Sequence, residues 1–146
     1  MVYTSHTKLL LNKNEKKLIF LAGSMDINQP YTWRKNVIET LNSQACFLDP
    51  TRLDHNTMND IEMENHINWE LEALALSDIV LLNFLPTSQS PISLIELGMY
   101  VKSTKLLVNC PDQFYQSRYI KALCKKYKVP IYPSLNESLQ YLKNML

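Results

Sequence analysis

Two consecutive runs decide the fold: Asp78-Ile79-Val80-Leu81-Leu82-Asn83-Phe84 and, after a polar loop, Ser90-Pro91-Ile92-Ser93-Leu94-Ile95-Glu96-Leu97-Gly98-Met99-Tyr100. The first is a short unbroken apolar stretch, the mark of a strand buried on both faces. In the second, Pro91 suits the first turn of a helix, where its missing N–H is not needed. From there Ile92, Leu94, Ile95, Leu97, Met99 and Val101 cover nearly every face, so the helix is expected to be buried. A buried strand that feeds a buried helix is the repeating unit of a parallel sheet with crossovers.

The same alternation extends in both directions. Upstream, Lys17–Ala22 forms a strand that stops at Gly23-Ser24, and Met25–Pro30 forms a loop. A helix follows from about Tyr31 to Asn42, with Trp33, Val37, Ile38 and Leu41 at helical spacing. Ala45–Leu48 is a second strand, halted by Asp49-Pro50. The polar segment Thr51–Asp60 is long for such a connection, and loops of that length often cover a binding site. Asn59 or Asp60 caps a helix that runs to about Leu76, with Met63, Ile67, Leu71 and Leu74 as its inner stripe. Downstream, Lys105–Asn109 is a fourth strand, Phe114–Tyr127 a helix and Val129–Tyr132 a fifth strand. Ser134 then caps a final helix, with Glu137 at the capping-box position. Residues 1–16 read as an irregular arm or short edge strand, and residues 17–146 as one domain. The expected class is α/β: a single doubly wound sheet of five parallel strands in the flavodoxin-like order 2-1-3-4-5.

Composition narrows the function. A chain of 146 residues can bury about 70% of its unfolded surface. A formal charge of +1 gives no electrostatic case for nucleic acid or an anionic membrane. No apolar run approaches the ~20 residues that span a bilayer, and the first residues lack a signal-peptide layout. Cys46, Cys110 and Cys124 are widely spaced and form no C-x-x-C pair, which points to a reducing, cytoplasmic setting without disulfides or a zinc knuckle. His6, His55 and His66 are too scattered for a metal site, so no metal is expected.

There are only two glycines, Gly23 and Gly98, where average usage would give about ten, and both lie beside the segments with chemical potential. In open α/β sheets ligands bind beyond the carboxyl ends of the strands at the topological switch point. With the expected order, Gly23-Ser24-Met25-Asp26 and the Ser90–Glu96 segment converge there. Glu96 is the one acidic group within an apolar run. A carboxylate held there has a raised pKa or a dedicated partner; the plainer reading is a helix Glu with one edge in solvent. Asp78 either joins the chemistry or merely ends the preceding turn. Gly23-Ser24 fits neither the dinucleotide fingerprint nor the phosphate loop, and no serine sits in a G-x-S-x-G elbow. Trp33 and Trp69 have the usual character of core anchors.

Ile19-Phe20-Leu21-Ala22-Gly23-Ser24, Trp33, Asp49-Pro50-Thr51-Arg52, Trp69-Glu70-Leu71, Ser77-Asp78-Ile79-Val80 and Ser90-Pro91-Ile92-Ser93-Leu94-Ile95-Glu96-Leu97-Gly98 occur in that order. As a set they resemble the nucleoside 2-deoxyribosyltransferase-like family, especially its short phage and bacterial branch, over about Lys17 to Tyr132. The resemblance implies cleavage of the N-glycosidic bond of a (deoxy)nucleoside, with transfer of the sugar to another base or to water. It implies Glu96 as the nucleophile that forms a glycosyl-enzyme and Asp78 as the carboxylate near the base, the pairing used by retaining glycosidases. Gly23, Ser24, Met25, Asp26, Trp33, Arg52, Ser90 and Gly98 are the expected substrate-binding residues.

Some positions depart from the family pattern. Phe20 stands where many members have a Tyr that contacts the nucleophile. Ser90 stands where the transferases have an Asp for the sugar 5′-hydroxyl, as in the related 2′-deoxynucleoside 5′-monophosphate N-glycosidases, yet Asp26 falls where those hydrolases have an Arg. Gln116 and Tyr119 replace an Arg and an Asn. The family also implies a homodimer or higher assembly with a shared site. Two rival readings stand beside the enzyme: a nucleotide-sensing module on the same scaffold, and a structural protein whose Glu96 pairs with Arg52 or Arg34.

Overall fold

A computed structural model describes residues 1–9, 16–25 and 32–146; Asp26, one of the expected site residues, lies outside them. The strands are β1 (Val2–Tyr3), β2 (Leu18–Gly23), β3 (Cys46–Leu48), β4 (Ile79–Asn83), β5 (Leu106–Asn109) and β6 (Ile131–Tyr132). They form one parallel sheet in the order β1-β3-β2-β4-β5-β6. The five expected strands thus take the order 2-1-3-4-5, and β1 adds a sixth at the edge beside β3. Two residues are too few to leave a periodic signal, so only the edge position of β1 was open to expectation.

The helices are α1 (Trp33–Leu41), α2 (Asp60–Leu76), α3 (Pro91–Tyr100), α4 (Ser117–Tyr127) and α5 (Leu135–Met145). Side chains alternate along each strand, so the sheet has two dry faces. Ile19, Leu21, Ile79, Leu81 and Leu107 pack against α1 and α5 through Val37, Leu41, Leu139 and Leu142. Phe20, Ala22, Val80, Leu82 and Val108 pack against α2, α3 and α4 through Trp69, Leu74, Leu97 and Ile120. This is the doubly wound layering expected of near-continuous apolar strands. Caps fall where the side chains predict: Asn59 Oδ1 accepts from the Glu62 N–H at 2.8 Å, and Ser134 Oγ accepts from the Glu137 N–H while donating to its carboxylate. Lys105 Nζ donates to the carbonyls of Leu74, Ala75 and Ser77 and so closes the carboxyl end of α2. Its burial holds the ammonium below its usual pKa.

One expected face, that of α2, and the expected burial of α3 on all sides are corrected. In α2 the residues that enter the core are His66, Trp69, Ala73 and Leu74, whereas Ile67 and Leu71 are each 44% exposed. The helix is rotated so that the stripe Met63–Ile67–Leu71 borders open space. In α3 the inversion is sharper. Ile92, Ile95 and Met99 are more than half exposed, while Ser93, Glu96 and Leu97 are buried. An apolar pattern that covers every face cannot say which side meets the sheet; here the polar side does. Among the described residues no helix is long and apolar enough to cross a membrane.

Candidate active site

The carboxyl ends of β2 and β4 are locked together. Ser24 N–H donates to Asn83 O at 2.9 Å, and Ser24 Oγ accepts from the Leu85 N–H at 2.8 Å. Gly23 has φ +130°, and a Cβ there would overlap the Asn83 backbone. Only glycine lets the two strands stay in register at this point. From the other side of the sheet, Trp33 Nε1 donates to Ser24 O at 2.9 Å. The Arg34 guanidinium donates to Leu21 O, Gly23 O and Ser24 O at 2.9–3.2 Å. The exit from β2 is therefore a rigid floor.

Above that floor, between α2 and α3, lies a cavity of about 540 Å³, the size of a small-ligand pocket. Its floor comes from Phe20, Ala22, Gly23 and Ser24; α3 supplies Ser90, Ser93 and Glu96; α2 supplies His66 and Glu70. Met25, Arg34, Pro50 and His55 add to the lining, and the apolar side chains of Ile67, Leu71, Ile92, Ile95 and Met99 border the mouth. Phe20 brings a bare ring to the wall, so no hydroxyl reaches the cavity from that position.

Glu96 is buried in the middle of α3. Loss of hydration pushes its carboxyl up to about 7, the nearby Glu70 charge adds to the rise, and Arg34 pulls the other way. Such a group is poised between its two protonation states near neutral pH, which suits acid–base or nucleophilic work. At the amino end of α3, Ser90 takes the left-handed conformation (φ 48°, ψ 53°). This turns its Oγ to within 2.6 Å of Ser24 Oγ and 2.7 Å of Ser88 Oγ. Three hydroxyls at a helix N-terminus can receive an oxygen-rich or anionic group.

Not every expected site residue reaches this place. Gly23, Ser24, Met25, Ser90 and Glu96 do. Asp78 does not: it precedes β4 at the amino edge of the sheet, is exposed, and accepts the Leu18 N–H at 2.8 Å. A strand of five residues separates it from the cavity end, so its role is to tie β2 to β4. Gly98 is exposed on the side of α3 that faces α4, with open space where a Cβ would stand. Two residues after Glu96 on a helix is about 200° away, so Gly98 cannot share its face. Arg52 is held by Asp54 (Nε–Oδ1 2.8 Å) in the β3–α2 connection and does not line the cavity. Trp33 supports the floor from behind.

The residues that sequence reasoning overlooked are Glu70, His66 and His55. The first two carried a signal. They sit at helical spacing within the apolar stripe of α2 from Met63 to Leu74, where titratable groups are out of place. Glu70, not Asp78, is the second carboxylate of the cavity. Among the described residues no cluster of His, Cys, Asp and Glu could hold a metal ion.

No curated protein is detectably similar in sequence. Among solved structures, a conserved protein from Enterococcus faecalis V583 superposes with a TM-score of 0.63 at 15% identity, over 90% of this chain and 99% of that one. At that identity the likeness concerns the fold. The model of the family described as nucleoside 2-deoxyribosyltransferase like matches residues 16–114, a span that runs from β2 through β5 and holds the whole cavity wall. The chain belongs to the nucleoside 2-deoxyribosyltransferase-like family.

Proposed function

We propose that this chain is a cytoplasmic enzyme that cleaves the N-glycosidic bond of (deoxy)nucleosides, with Glu96 as nucleophile and transfer of the sugar to a second base or to water. The observation that carries the reading is the buried Glu96 carboxyl, raised to about 7 and facing a nucleoside-sized cavity. Burial and the Glu70 charge keep a proton on Glu96 up to about pH 7; the reacting form is the one in which that proton has passed to Glu70 and left Glu96 ionised. A Glu96 oxygen attacks C1′ as the C1′–N bond breaks. The bonding pair leaves with the base, which takes the Glu70 proton. Water or an acceptor base then attacks C1′, gives its proton to Glu70 and frees Glu96. This chemistry calls for no cofactor.

The Ser24–Ser88–Ser90 hydroxyls support an alternative substrate of the same class. Together with the amino end of α3 they offer donors to a sugar 5′-oxygen or a 5′-phosphate, the latter being the choice of a 5′-monophosphate N-glycosidase. A homodimer also fits. Ile67, Leu71, Ile92, Ile95 and Met99 border the cavity mouth and are exposed in one chain, a contiguous apolar face of the kind a second copy covers. Buried thiols such as Cys110 and Cys124 suit a reducing compartment.

The test is chromatography of free base after incubation with a panel of nucleosides and 5′-monophosphates, with and without an acceptor base. Release without acceptor marks a hydrolase, and release only with acceptor a transferase. Tight binding with no release from any substrate would mark a sensing module and end the enzymatic reading.

A further inference from the structure

His66 lies one helical turn before Glu70 on α2 and is buried, with its Nε2 3.0 Å from Glu70 Oε1. The contact is short but not aligned as a hydrogen bond, and Nδ1 has no hydrogen-bond partner among the described residues. The His55 ring meets it edge-on, with centroids 5.0 Å apart. A buried imidazole with unmet polar atoms destabilises a fold that an apolar side chain would serve better. The glycosyl-transfer steps above give it no part. Glu70 beside it keeps 23% of its side chain exposed at the cavity margin, so this long side chain could turn outward to water. We propose that His66 is a positioning residue for Glu70: clamped by His55, the imidazole keeps the Glu70 carboxylate turned into the cavity toward Glu96. The inference rests on the reading of Glu70 as the proton carrier.

The consequence can be measured without substrate. The charged and titratable groups around Glu96 are Glu70 and His66 from α2, His55 from the β3–α2 connection and Arg34 from α1, with Asp49 4.0 Å behind Arg34. Of these, the Glu70 charge lifts the Glu96 carboxyl and Arg34 lowers it. If His66 holds Glu70 in place, its loss lets Glu70 swing away and the Glu96 midpoint falls. If His66 instead acted on Glu96 as a cation, its loss would move the midpoint upward.

The experiment is a ¹³C NMR titration of Glu96, in full-length protein labelled at glutamate side-chain carboxyls and assigned with Glu96→Gln. The variants are Glu70→Gln, His66→Leu, His66→Asn and His66→Gln. Glu70→Gln and His66→Leu should each lower the midpoint by roughly half a pH unit or more, and the double variant should match Glu70→Gln alone. His66→Gln, whose amide reaches the Nε2 position, should stay near the parent. The shorter His66→Asn should behave as His66→Leu, which keeps the test decisive if the apolar variant fails to fold. An unmoved or rising midpoint in both releasing variants, or shifts additive with Glu70→Gln, overturns the proposal. Because no substrate is present, failure to release base from any nucleoside would sink the enzymatic reading and leave this result standing.

Discussion

Replacing Glu96 with Gln should make the protein more stable at pH 8 and much less so at pH 5. The folded carboxyl titrates at about 7 against an ordinary 4.5. A raised carboxyl contributes stability that is fully present below the unfolded value and lost as pH rises through the folded one. The displacement of about 2.5 pH units, at about 1.4 kcal/mol each, places the burden of the ionised group near 3 kcal/mol above pH 8. Most of that burden develops between pH 5 and pH 8, so the advantage of Glu96→Gln over the parent should grow by about 2–3 kcal/mol across that interval. Relaxation and water entry make this a ceiling. For a chain of this size it corresponds to roughly 4–12 °C in Tm. The assay is urea unfolding followed by the fluorescence of the buried Trp33 and Trp69 at several pH values. A stability difference that is flat across this range would refute the claim that Glu96 is held ionisable against its surroundings. So would a variant less stable than the parent at pH 8.

The same Glu96→Gln variant should lose base release by at least about 10³-fold in kcat while still binding substrate, as chromatography and calorimetry would report. Asp78→Ala should cost about 1 kcal/mol through the lost Leu18 N–H acceptor and leave base release near the parent level. A large activity loss at unchanged fold would return Asp78 to the chemistry. Gly23→Ala should destabilise by about 3 kcal/mol or more, because the added methyl meets the β4 backbone at a positive φ; thermal melts check this. Ser24→Ala removes the acceptor of the Leu85 N–H and the link to Ser90, and should cost about 1–3 kcal/mol and raise KM before it changes kcat.

Much of this architecture was legible in the residues because it depends on local rules. Strands such as Ile79–Asn83 are unbroken apolar runs, α2 begins at a capping Asn59, and crossovers allow few topologies. The floor of the site was legible for a similar reason: a scarce Gly23 at a strand end has few other uses. What stayed hidden depends on helix rotation and on which end of a strand a residue occupies. Met63, Ile67 and Leu71 have the periodicity of a core stripe, and only packing against β2 and β4 reveals that Trp69 and Ala73 take that place. Asp78 lies next to the right strand but at its wrong end, where its carboxylate meets the Leu18 N–H. Glu70 has acidic neighbours in sequence, Glu62, Glu64 and Glu72, that are solvated, and only its place beside the Met63–Leu74 stripe sets it apart from them. Its i,i+4 spacing from His66 was the one signal open to reading.

The rigid floor has an evolutionary corollary. The Gly23 and Ser24 carbonyls accept from Arg34 and Trp33, and the Ser24 N–H and Oγ are tied to the β4 exit, so drift there would be punished by misfolding. Met63, Ile67 and Leu71, by contrast, line the cavity and stand outside both faces of the sheet core, so they can change with small effect on the fold of a single chain. Changes in what the cavity accepts should therefore arise by replacement along that one ridge, and a library confined to those three codons is the economical place to look for them.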